Sequence, residues 1–163
     1  MFLRYFVTVE MPPERVEAQI SGEALASMPA IARQVTGEGA RLMSDLGFDI
    51  GPARLEREIE ITLGDARHTV GATLLPISWR AAAAPGLFPV LEGQLEIAGL
   101  GPATTQLGIS AHYEPPLGVV GKIADRALMH RVAEVTVKDF LERVAKLVQQ
   151  SQPHSKSRLE AHQ

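Results

Sequence analysis

The sequence contains no cysteine. Thiol catalysis, zinc–thiolate sites and disulfides are excluded. Aromatic residues are scarce, 5% of 163 positions with one Trp and two Tyr, so each is worth placing. Neither sign of charge dominates: 16 Lys plus Arg face 19 Asp plus Glu, a net −3 with His neutral. That balance argues against nucleic-acid binding and against a polybasic membrane patch. No apolar run approaches the roughly 20 residues of a membrane span. The opening Met1-Phe2-Leu3-Arg4 leads into a strand-like pattern and Glu10, not into the apolar core of a signal peptide. The expectation is a cytoplasmic domain.

What is present is ordinary globular material: 45% apolar residues, too many for a disordered chain. A chain of this length buries about 70% of its unfolded surface and folds without disulfide or metal. No cofactor is implied.

The periodicity orders the elements. Phe2 to Glu10 reads as a strand with Leu3, Tyr5, Val7 and Val9 on one face. Pro12-Pro13 ends it and opens a helix carrying Val16 and Ile20. Glu23 to Phe48 is helical in composition but interrupted by Pro29, Gly37 and Gly39, which predicts one kinked helix or two short ones. The period then falls from 3.6 to 2. Leu55, Arg57, Ile59, Ile61 and Leu63 alternate with Glu56, Glu58, Glu60 and Thr62. Strands are expected at His68–Arg80, Leu87–Ala98 and Thr104–Glu114, joined as a meander. Pro76 suggests an edge or bulge. Val119 to Gln149 reads as one long helix with Ile123, His130, Ala133, Val137, Phe140, Leu141, Val144 and Val148 on one stripe. The domain is residues 1–150. Residues 151–163 read as a disordered polar tail.

This order resembles the helix-grip fold of the START-like superfamily, also called SRPBCC, which includes polyketide cyclases and lipid-transport proteins. The segments Phe6–Val16 (FVTVEMPPERV), Ser110–Arg126 (SAHYEPPLGVVGKIADR) and Val137–Leu147 (VKDFLERVAKL) carry the resemblance. Leu74–Arg80 and Leu87–Leu91 resemble uncharacterised actinobacterial members. The resemblance implies an α+β fold: a curved antiparallel sheet of five to seven strands around a long C-terminal helix. It also implies a cavity between them for a small hydrophobic molecule, lipid or polyketide. It transfers no catalytic residue.

The candidate residues follow from the pattern. Tyr5, Leu75, Ile77, Trp79, Leu95, Ile109, Tyr113 and Val137 fall on inward faces, where they can line a pocket or simply fill a core. Arg57, on an apolar strand face, can hold a ligand carboxylate or bend out to solvent. His130, on the helix stripe, can serve as acid or base or as a core histidine. Asp125 suits a helix start. The row Glu56, Glu58 and Glu60 reads as a solvated face, and His68, His112, His154 and His162 lack metal-ligand spacing. Gly118-Val-Val-Gly-Lys122 fails as a phosphate loop, because Pro116 and Ile123 stand where glycine and Ser or Thr are needed. No G-x-S-x-G is present.

Three functions compete on this reading. The first is a binding module for a small hydrophobic ligand. The second is a polyketide aromatase or cyclase with His130 as acid or base and Tyr113 as the next candidate. The third is a protein-interaction module that presents the outer row Glu92, Gln94 and Glu96 to a basic partner. Oligomeric state is left open by the sequence.

Overall fold

The structure is a computed structural model, and it describes residues 1–45, 59–81, 90–114 and 126–151. The elements run β1 (Phe2–Val9), α1 (Pro13–Ser21), α2 (Glu23–Asp45), β2 (Ile59–Leu63), β3 (Arg67–Thr69), β4 (Ala72–Ala81), β5 (Val90–Gly101), β6 (Thr104–Glu114) and α3 (Arg126–Gln150). The six strands form one antiparallel sheet in the order β1-β6-β5-β4-β2, with β3 also paired to β4. It is a curved sheet carrying a C-terminal helix, the α+β helix-grip fold.

The meander is present because the longer strands alternate apolar and polar residues and are punctuated by glycine or proline. Two boundaries differ from the sequence expectation. β5 runs on to Gly101, past the expected end at Ala98. The expected strand His68–Arg80 is a hairpin, β3 and β4, turning at Val70-Gly71. Gly71 takes φ of +88°, a conformation glycine adopts without a Cβ penalty, and Val70 projects fully into solvent. β2 and β3 pair with successive stretches of β4, and the break between them falls beside Pro76. There the Pro76 carbonyl accepts from the Gly64 amide at 2.8 Å.

Cross-strand rows build the inner face. Trp79, Leu91 and Tyr113 form one, Ile77, Gly93, Ala111 and Leu3 the next, and Leu75, Leu95, Ile109 and Tyr5 a third. Gly93 lets β5 and β6 close up: a Cβ there would stand 2.2 Å from the Ser110 carbonyl oxygen and 2.5 Å from the Ala111 Cα.

Helix α3 packs on β1 and β6 from one side and against α2 on the other. Its stripe Ala133, Val137, Phe140, Leu141, Val144 and Val148 is buried, as the heptad-like spacing predicts. α2 is one continuous helix with Pro29 inside it, burying Ala24, Met28, Ala32 and Val35. Thr105 anchors the entry to α1, its hydroxyl donating to the Met11 carbonyl at 2.6 Å. Arg143 Nη2 meets both carboxylate oxygens of Glu38, at 3.0 and 2.8 Å, and so ties α3 to α2. Arg57, Asp125, the segment 115–125 and the tail from 152 lie outside the described residues.

Candidate functional site

The inner face of β4, β5 and β6 meets α3 in an aromatic cluster. The Trp79 ring lies edge-on to Tyr113 at 6.1 Å and to Phe140 at 4.9 Å. Each such pair contributes about 0.5–1.5 kcal/mol beyond area burial. Leu75, Ile77, Leu95, Ile109 and Val137 surround the cluster, all buried. Seven of the expected pocket residues therefore share one interior. They were placed there by strand alternation and by the helical stripe.

The polar atoms of this interior differ in how well they are satisfied. The Tyr113 hydroxyl bonds to Thr136, whose own hydroxyl donates to the Val132 carbonyl at 2.8 Å. Burial pushes the Tyr113 hydroxyl pKa well up, and the bond to Thr136 opposes that shift. Among the described residues the Trp79 Nε1–H has no partner, although the residue is wholly buried, and the Thr36 hydroxyl on α2 is likewise buried and unpaired. A buried donor left unpaired costs roughly 1–3 kcal/mol. The sheet and the helical layer each present one such atom.

Tyr5 and His130 belong elsewhere. Tyr5 ends its cross-strand row at the margin of the sheet, half-buried, and donates to Glu142 Oε1 at 3.0 Å. Desolvation, then the bond to Glu142 and its charge, push the Tyr5 hydroxyl pKa up. His130 departs from its expected place in the core. It lies on the same helical face as Val137 but two turns nearer the start of α3, where it is exposed and 3.2 Å from Glu134. Its axial position, not its face, puts it outside. Both residues line a groove of about 390 Å³ between β1 and α3, together with Phe2, Leu3, Arg4, Arg131, Glu134, Val135, Val137 and Lys138. A neighbouring depression lined by Met1, Phe2, Ala127 and His130 extends it toward the start of α3.

The acidic outer row is offset by neighbours. Arg80 pairs with Glu92, and Arg4 lies 3.5 Å from Glu96. Among the described residues no group of three or more His, Asp or Glu side chains converges as a metal site. No helix among them is long and apolar enough to cross a membrane.

No protein-family model matches the chain, and no curated protein matches it. Solved structures do. The chain is similar to a conserved protein from Geobacillus kaustophilus, at 15% identity and a TM-score of 0.51, over 93% of this chain and 97% of that one. It also matches the Zhui aromatase/cyclase from Streptomyces sp. R1128, at 15% identity and a TM-score of 0.49, over 92% and 94%. A START superfamily protein from Mycobacterium smegmatis matches at 16% identity and a TM-score of 0.31, over 90% and 98%. At these identities the likeness is one of fold alone.

Proposed function

We propose that the chain binds a small hydrophobic molecule, lipid-like or polyketide-like, between the inner face of the sheet and α3. The ligand carries at least one hydrogen-bond acceptor. The observation that supports this reading is the Trp79 indole N–H, fully buried among apolar side chains and without a partner among the described residues. Native proteins pair nearly all buried donors, so an unpaired one calls for an occupant. A ligand carbonyl, hydroxyl or ether oxygen would satisfy it, while the aromatic cluster supplies apolar area. The cyclase reading loses its first acid–base candidate here, because His130 lies in the groove beside Glu134.

The test is native mass spectrometry of the protein purified from its own host, with extraction of any bound molecule. Trp79 is the one tryptophan, so its indole proton resonance reports the contact without ambiguity. A bound ligand is expected to shift that resonance, and Trp79→Phe is expected to weaken binding. If nothing copurifies, and no lipid or polyketide raises the melting temperature, the reading fails.

A further inference from the structure

We infer that the groove between β1 and α3 is a second, separate site, and that it takes a free long-chain carboxylate. The argument begins with the floor. Leu3 and Val137 are buried beneath it, and Val135, 38% exposed, lines it; Phe2 also borders it, with its ring edge-on to His112 at 5.5 Å. Covering such apolar side chains with hydrocarbon removes them from water and is favourable. A volume of about 390 Å³ falls within the ~300–1,000 Å³ of small-molecule sites.

The rim sets the sign of the ligand. Arg4, Arg131 and Lys138 line the groove against one carboxylate, Glu134, on a chain whose net charge is −3. Two of the rim's charged contacts are already made: Arg4 faces Glu96 at 3.5 Å and Lys138 faces Glu142 at 3.9 Å. Glu134 lies 3.2 Å from His130 Nε2, an ion pair only where that imidazole is protonated. Arg131 is exposed and has no ion-pair partner among the described residues. Its guanidinium can receive a carboxylate on two parallel N–H groups.

The backbone of β1 adds to this. The Tyr113 amide donates to the Met1 carbonyl at 2.8 Å, which makes Met1 and Tyr113 a hydrogen-bonded pair. Such pairs alternate along an antiparallel ladder. By the register of β1 with β6, the bonded positions are then Leu3 and Tyr5, and the amides of Phe2 and Arg4 point away from β6 toward the free edge. Because α3 packs on β1, the space suits an aliphatic chain better than an added peptide strand.

The experiment titrates isotope-labelled full-length protein with dodecanoate below its micelle concentration, with dodecanol, acetate and anionic phospholipid vesicles in parallel. Saturable amide shifts confined to Phe2–Tyr5 and His130–Lys138 are expected with dodecanoate. Binding by dodecanol and acetate is expected to be at least tenfold weaker. Arg131→Glu is expected to weaken dodecanoate about tenfold, Arg131→Lys less, and Glu134→Gln is expected to tighten it. These positions are exposed, so a circular dichroism spectrum like the parent's is expected for each variant. Dodecanol binding as tightly as dodecanoate, an unaffected Arg131→Glu variant, or binding to vesicles alone would each overturn the inference. So would shifts centred on the Trp79 indole, which would assign the ligand to the interior instead.

Discussion

The interior and the groove use the same helix in opposite ways. Around Val137 and Phe140, α3 is sealed against the sheet, and apolar packing determines everything there. Two turns earlier the same face carries His130 into the open, among charges that are only partly matched. Substitutions in the interior are therefore expected to act on folding as well as on binding. Substitutions in the groove are expected to leave folding nearly untouched.

That contrast can be broken or sharpened by experiment. Trp79→Ala has the largest expected effect, a loss of about 3–5 kcal/mol in urea denaturation, because it empties the centre of the aromatic cluster. Trp79→Phe is expected to cost much less, since it also removes the unpaired N–H. If both cost the same, the indole nitrogen is not a liability in the folded state. Gly93→Ala comes next, at about 1–3 kcal/mol, because the new Cβ meets the β6 backbone and not a side chain that could turn aside.

The tyrosines give a pH test of the same contrast. Both hydroxyls are held above the ordinary value of 10.0, with burial the leading cause. In the unfolded chain they ionise near that ordinary value, so the unfolded state sheds protons first. Stability is then full below about pH 10 and falls as pH rises above it. Denaturation midpoints between pH 8 and 11 are expected to show this loss, and Tyr113→Phe is expected to remove most of it. Tyr5→Phe removes less of it and costs about 1 kcal/mol at neutral pH through the lost bond to Glu142. The smallest effect belongs to Arg131→Glu, expected within about 0.5 kcal/mol of the parent. A larger loss would mean that the groove is structural after all.

Much of the interior was legible in advance, because period-2 alternation assigns a face to every strand residue. Leu75, Ile77, Trp79, Leu95, Ile109 and Tyr113 needed nothing more. The β3–β4 hairpin was harder, because Thr69 and Val70 are good strand formers and Gly71 alone marks the turn. The groove could not be read. Its walls come from β1 and α3, about 130 positions apart, and periodicity says which way a residue faces but not whether a sheet lies opposite it. His130 was misplaced for that reason. Arg131 was missed because an exposed arginine looks like any other until its described neighbours are seen to offer it no ion pair.

Neighbouring residues on α3 grip opposite sides of the molecule. Glu142 holds β1 through Tyr5, and Arg143 holds α2 through Glu38. α3 is thus fastened near its far end to both layers at once, like a rivet through two plates. Amide exchange should be slowest there, past Phe140, and loosening either grip, by Tyr5→Phe or Arg143→Gln, should speed it.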